Sequence, residues 1–159
     1  MEAVDIEYVD YVDESMLPAI RSLVSRDLSE PYSIYTYRYF LHGWPKLCIC
    51  AYALDADIGE RSMIATIVSK AEVEGGVMQG YIAMLAVDSR FRARGIGSLL
   101  VQKTIERMKE MGCEEIVLET EVRNPAMPSA LLMRSCHGVP GVQQESVEFV
   151  PAIRILQGG

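Results

Sequence analysis

The chain has no apolar run long enough to cross a bilayer. Its uninterrupted apolar stretches, such as Leu47 to Leu54 and Tyr81 to Val87, are short, whereas a spanning helix needs roughly 20 residues. Basic charge is also scarce. Fifteen Lys and Arg face 22 Asp and Glu, a formal net charge of −7, which argues against nucleic acid as a direct partner, because phosphate backbones need a basic field. The first fifteen residues contain no Lys or Arg but carry Glu2, Asp5, Glu7, Asp10, Asp13 and Glu14. That is the opposite of a secretory or mitochondrial leader, so a cytoplasmic protein with no membrane partner is the expectation. Cysteine is sparse and badly spaced for metal. Cys48, Cys50, Cys113 and Cys136 form no CxxC pair, and His42 and His137 complete no zinc pattern, so reduced, mostly buried thiols and no metal are expected. Cys113 follows Gly112 at a helix end, where the helix dipole disfavours a thiolate nucleophile.

What is present fits one domain. At 159 residues, 50% hydrophobic and 23% charged, the chain is outside the disordered class and can bury a core. Val4, Ile6 and Tyr8 alternate with acids as in a half-buried strand. Ser15 is placed to cap a helix that tolerates Pro18 in its first turn, with Met16, Leu17, Ile20, Leu23, Val24 and Leu28 at helical spacing. Glu30-Pro31 stops it. Six of the twelve aromatics (Tyr32, Tyr35, Tyr37, Tyr39, Phe40 and Trp44) then fall within thirteen residues, on a short second helix that serves as a core wedge or as a ligand wall.

Three β-rich runs follow, at Leu47 to Ala53, Met63 to Ala71 and Gln79 to Val87, separated by turns at 55–60 and Glu74-Gly75-Gly76, and they predict an antiparallel meander. Helical period returns from Ile96 to Met111, with Gly112 as the C-terminal glycine, and Ile116 to Val122 is a strand. This order is α+β, a mixed and mostly antiparallel sheet flanked by helices. One strand-helix-strand crossover should bring the strand before Arg90 close to the one after Gly112. After Asn124 the periodicity fades: a helix over about Ser129 to Cys136 and a strand around Val147 to Ile155 are weakly marked. The chain divides into a core over 1–124 and a divergent, poorly patterned tail over 125–159.

The sharpest local signal is Arg92-Ala93-Arg94-Gly95-Ile96-Gly97-Ser98, between a strand and a helix. Glycines there allow close backbone approach, and exposed amides at a helix start form an anion site that suits a pyrophosphate. It is neither a dinucleotide fingerprint, which needs GxGxxG, nor a Walker loop, which needs GK[ST].

The RxxGxG pattern at Arg92 to Gly97, preceded by Gly80-Tyr81-Ile82-Ala83-Met84-Leu85-Ala86-Val87, resembles the acetyl-CoA site of the GCN5-related N-acetyltransferases (GNAT). The segment Asp27 to Phe40, with Leu118-Glu119-Thr120-Glu121-Val122 and Asn124, is similar to the catalytic subunits of NatC-type protein N-terminal acetyltransferases. The resemblance covers about residues 5 to 126. It implies transfer of acetyl from acetyl-CoA to the N-terminal amine of nascent polypeptides that begin with Met and an apolar residue. Backbone groups of Leu85 and Val87 would pair with the pantetheine arm. Arg92, Arg94, Gly95, Ile96, Gly97 and Ser98 would hold the pyrophosphate, and Asn124 counts with the cofactor contacts. Glu30, Tyr32 and Tyr81 would bind the acceptor's N-terminal backbone, Leu28 would line a pocket for its second residue, and Glu119 would be the general base through a water. Auxiliary subunits and the ribosome are the implied partners.

The likeness weakens after Asn124. The family carries a tyrosine where this chain has Leu131, and no tyrosine follows Tyr81. Ser135-Cys136 stands where the family has Gly-Phe. The closing strands are therefore expected to be altered or missing, and the alternative reading is a catalytically impaired or non-catalytic acetyl-CoA-binding variant. Loss of a general acid costs typically about 10² to 10⁴ in rate, which by itself predicts a slow enzyme.

Overall fold

The computed structural model describes residues 4–27, 32–54, 59–119, 142–147 and 150–156. Strand β1 (Asp5–Asp10) leads through a short 3-10 turn (Glu14–Met16) into α1 (Leu17–Asp27). The cap is Asp13 rather than Ser15: the Asp13 carboxylate accepts from the Ser15 backbone N–H at 2.9 Å, so the helical segment starts two residues earlier than a Ser15 cap predicts. Leu17, Ile20, Leu23 and Val24 of α1 are buried, the stripe that the three- and four-residue spacing anticipates. Ser33 caps α2 (Ile34–Gly43). Of its aromatics Tyr37 and Phe40 are buried while Tyr35 and Tyr39 are exposed, so the cluster is both core wedge and surface wall.

The meander follows as β2 (Cys48–Leu54), β3 (Arg61–Glu74) and β4 (Val77–Val87). Gly75 and Gly76, at φ of 59° and 85°, make the tight β3–β4 hairpin, a conformation that β-carbon sterics deny to most residues. Helix α3 (Ile96–Glu110) crosses over to β5 (Glu115–Glu119), which lies parallel to β4, as the crossover predicts. The described strands form one seven-stranded sheet in the order β1-β2-β3-β4-β5-β7-β6.

Strands β6 (Val142–Val147) and β7 (Val150–Leu156) pair with each other, and β7 pairs with β5 from Glu115↔Leu156 to Glu119↔Ala152. Of the expectation that the closing strands are altered or missing, only the second half fails: both strands are present, and β7 overlaps the strand expected around Val147 to Ile155. Their sequence lacks the family's Gly-Phe, but β-branched Val142, Val147, Val150, Ile153 and Ile155 suffice for strand pairing. Pro151 lies just outside the β5 ladder, which begins at Ala152, so its absent N–H breaks no bond there. The expected helix over Ser129 to Cys136 lies outside the described residues.

Two cores sandwich the sheet. On one face α3 residues Ile96, Leu100, Val101 and Met108 pack with Ile67, Ile82, Leu85, Val87 and Ile116. On the other, Leu17, Ile20, Leu23 and Val24 of α1 and Tyr37, Phe40 and Leu41 of α2 pack with Cys50, Val68, Met84 and Ala86. Gly80 seats α3: a β-carbon there would lie 2.4 Å from Met108 Sδ. Among the described residues no helix is long and apolar enough to cross a membrane.

Candidate active site

The site is built on an irregularity in β4. The pairing runs from Glu74↔Val77 to Ser69↔Ile82, then shifts, and resumes from Val68↔Met84 to Ala65↔Val87. Ala83 is the extra residue, a β-bulge that bends the strand and changes which face its side chains take. Before it Gly80 and Ile82 face α3 while Tyr81 faces α2; after it Leu85 and Val87 face α3. The parallel ladder to β5 ends at the same place, at Ile82↔Leu118. Beyond Ile82, β4 continues five residues to Val87 with β3 on one side, and among the described residues no strand pairs with its other side. Leu85 and Val87, the expected pantetheine contacts, lie in this stretch with their side chains buried. The Val87 carbonyl accepts from Arg92 Nε at 3.1 Å, which folds Arg92 back onto the strand.

Past Val87 the chain makes a 3-10 turn (Ser89–Phe91) and enters the glycine loop. Ala93 has φ 61° and Gly95, the cap of α3, has φ 80°. Two left-handed residues in three aim successive amides outward, the geometry of an anion-binding nest. No side chain caps α3 and no acid occupies its first turn, so the N–H groups of the first turn and the positive end of a 15-residue helix are left for an anion. Ile96 and Gly97 are buried against the core while Arg94, Gly95 and Ser98 are exposed. The Arg94 guanidinium lies over the Phe91 ring at 5.1 Å. These residues fit a diphosphate.

Tyr81 faces the other side of the sheet, in a cleft of about 440 Å³ lined by Phe40, Lys70, Glu72, Gln79 and Val117, among others. Its ring stacks on Phe40 at 6.3 Å, with Lys70 Nζ 5.6 Å from its centroid. Lys70 also donates to Tyr39 Oη at 3.2 Å and pairs with Glu72. Partial burial pulls the Lys70 pKa down, but the bonds to Glu72 and Tyr39 outweigh it and hold it above the ordinary lysine value.

Glu119 is the last residue of β5, opposite Ala152 of β7. Tyr81 is opposite Val117, and Glu119 lies two residues beyond Val117 along β5, where β4 and β5 part. Tyr32 is separate: it lines a cleft of about 550 Å³ between α1 and α2 with Leu17, Arg21, Tyr37 and Arg38, and meets Tyr37 edge-on at 6.1 Å. The structure therefore brings Tyr81 and the Glu119 position together and sets Tyr32 in a different cleft. Leu28, Glu30, Asn124 and Leu131 lie outside the described residues.

The thiols match their expected role. Cys48, Cys50 and Cys113 are buried and free; burial pushes the Cys48 pKa to about 12 and that of Cys50 to about 11, and raises Cys113 as well. Two features of this region escaped sequence reasoning. Lys70, Glu72 and Glu74 recur at period two directly after an apolar run, a signal for a polar strand end. Asp88, two residues before Arg90, carries the spacing of a turn cap.

A strand that leaves its parallel neighbour at a bulge and feeds a glycine-capped helix defines an acyl-CoA-binding fold, and sequence comparison agrees. The Acetyltransferase (GNAT) family pattern matches residues 17–132, and the chain belongs to that family. Among curated proteins it is similar to N-alpha-acetyltransferase 30 of Homo sapiens, at 51% identity over 120 residues, covering 75% of this chain and 32% of the human protein. It is also similar to N-alpha-acetyltransferase 30 of Saccharomyces cerevisiae, at 45% over 120 residues, covering 74% and 67%. The chain thus spans about a third of the length of the human relative. Among solved structures, a chain of the NatC complex bound to Gag peptide and CoA superposes with TM-score 0.77 at 35% identity, over 94% of this chain and 96% of that one.

Proposed function

We propose that this protein transfers acetyl from acetyl-CoA to the N-terminal α-amine of polypeptides, with Met followed by an apolar residue as acceptor, and that it works with auxiliary subunits near the ribosome in the cytoplasm. The observation that carries this reading is the parting of β4 and β5 after Ile82↔Leu118, with the open terminus of α3 at one end of the gap and the Glu119 position at its edge. The relatives in the N-alpha-acetyltransferase 30 group support the peptide acceptor, and the NatC complex with a bound peptide supports both acceptor and assembly.

Bound acetyl-CoA would supply an acetyl group already activated as a thioester. The loop from Arg92 to Ser98 would hold its diphosphate, with Leu85 and Val87 presenting backbone groups along the arm, and Asn124 beside them. Tyr81, with Leu28 and Glu30, would hold the acceptor, and Tyr32 would contact it from the separate cleft between α1 and α2. Glu119 would take the proton released by the amine, through a water. Little basicity is required: a peptide α-amine has a pKa of about 7.7 to 8.0, so much of it is already neutral near pH 7. A thiol leaving group departs as an anion readily enough that the tyrosine missing at Leu131 reduces the rate without abolishing it.

The test is mass-spectrometric acetylation of a free Met-Leu peptide by the purified chain, beside Glu119→Gln and beside a Lys peptide with a blocked N-terminus. One acetyl on the α-amine, falling about 10² to 10⁴-fold in the variant, is the expected result. Acetyl-CoA binding without turnover of any peptide would instead favour the non-catalytic reading.

A further inference from the structure

Asp88 follows the last residue of β4, and its backbone N–H donates to the Ile64 carbonyl at 2.7 Å, which pins it to the sheet. Its carboxylate is only 8% exposed. On one side it accepts from the Arg90 backbone N–H at 2.9 Å, Arg90 Nε at 3.1 Å and a second guanidinium nitrogen at 3.2 Å. On the other, Arg26 Nη1 lies 3.7 Å away. Both arginines are largely exposed, at 65% and 75%. A buried carboxylate that cannot retreat needs compensating cations, and here they come from two separate segments. Arg26 belongs to the last turn of α1. Arg90 sits in the 3-10 turn that runs directly into Arg92, Ala93, Arg94 and Gly95.

These segments serve different substrates in the proposed reaction, on which this inference rests. The glycine loop takes the acyl donor. Helix α1 packs with α2 over the face that carries Tyr81, and its Leu23 and Val24 share one buried cluster with Met84 and Ala86 from the half of β4 beyond the bulge. We propose that Asp88 is a positioning residue that couples donor and acceptor binding: the Arg90 bond sets the entry to the diphosphate loop, the Arg26 contact sets the end of α1, and one carboxylate holds both. Coupling of this kind is reciprocal, so each ligand tightens the other by the same factor.

The size of the effect is bounded by the weaker contact. An ion pair with one exposed partner contributes up to about fivefold in an equilibrium constant. The experiment is titration of the full 159-residue chain with a Met-Leu peptide in the absence and presence of saturating CoA, and with CoA alone, for wild type, Arg26→Ala and Asp88→Asn. Wild type should bind the peptide about fivefold more tightly with CoA present. Arg26→Ala, an exposed site that the fold tolerates, should lose that enhancement while its affinity for CoA alone stays within twofold. Asp88→Asn should lose the enhancement and also bind CoA more weakly. A defect that is merely structural would lower stability without removing the enhancement selectively. Enhancement retained in both variants, or absent from wild type that binds each ligand, overturns the coupling and leaves the proposed function standing. Wild type that binds neither CoA nor peptide overturns the function and the coupling with it.

Discussion

Replacing Gly80 by Ala tests how α3 is held against the sheet. The added methyl would lie 2.4 Å from Met108 Sδ and 3.2 Å from both Met108 Cγ and Cε. Met108 is fully buried, so its flexible chain has little space to move into. Overpacking of this kind costs about 1 to 3 kcal/mol, and the reduced entropy of the unfolded chain returns about 0.4 to 1 kcal/mol. A net loss of about 1 to 2 kcal/mol remains. Unfolding entropy of about 2.1 cal/mol/K per residue makes that roughly 3 to 6 °C in Tm for a chain of this size. A thermal melt followed by circular dichroism, repeated in a Met108→Ala background, reads the effect. The methyl should destabilise the natural chain and be neutral or stabilising once Met108 is truncated, because it then fills part of a cavity. The clash is far from the chemistry: Gly97 is eleven residues up the helix, roughly 16 Å at 1.5 Å per residue, so CoA affinity of the folded protein should change less than twofold. An equal destabilisation in both backgrounds would refute the packing argument, and a large loss of CoA affinity would refute the separation of helix seat from helix terminus.

Arg94→Ala should raise the KM for acetyl-CoA about three- to tenfold with a small change in kcat, the loss shrinking at high salt because the contact is exposed and screened. Steady-state kinetics at low and high ionic strength would measure it. Cys48 and Cys50, with thiols pushed up to about 12 and about 11, should resist iodoacetamide at pH 8 in the native protein and react once urea is added, as peptide mapping would show. The bonds from Arg90, which outweigh the effect of burial, hold the Asp88 carboxyl below its ordinary value. Its stabilising contribution is therefore present above the unfolded-state pKa near 3.8 and is lost as pH falls through the lower folded value. Urea melts between pH 5 and pH 2 should fall less steeply for Asp88→Asn, and parallel curves would refute that assignment.

Much of this architecture is legible before any coordinates. Period-two runs mark the meander, helical spacing marks α1 and α3, and Gly95 and Gly97 between a strand and a helix mark the glycine loop that enters α3, because each signal depends on neighbours within a few residues. Features set by partners distant in sequence are not legible. The bulge at Ala83 depends on how β3 and β4 align, and nothing in Ile82-Ala83-Met84 announces it. Lys70 meets Tyr81 once β3 and β4 pair, but finds Tyr39 only after α2 folds over the sheet. Asp13 replaces Ser15 as cap because Asp13 is extended at φ −155° while the turn has already begun at Glu14, a choice between two good cap residues that propensity cannot make. Of the closing strands, Val150 to Leu156 is foreshadowed by the weak pattern around Val147 to Ile155, whereas Val142 to Val147 lacks a comparable local signal.

The single extra residue at Ala83 makes one strand behave as two. Below it, side chains alternate in one phase and present Tyr81 to α2; above it the phase is reversed, and Leu85 and Val87 dip into the α3 core. In the proposed reaction, a substitution that changes acceptor preference near Tyr81 is thus out of step with the positions that would serve the acyl donor. Acceptor range can drift across such a scaffold while the donor half is left intact.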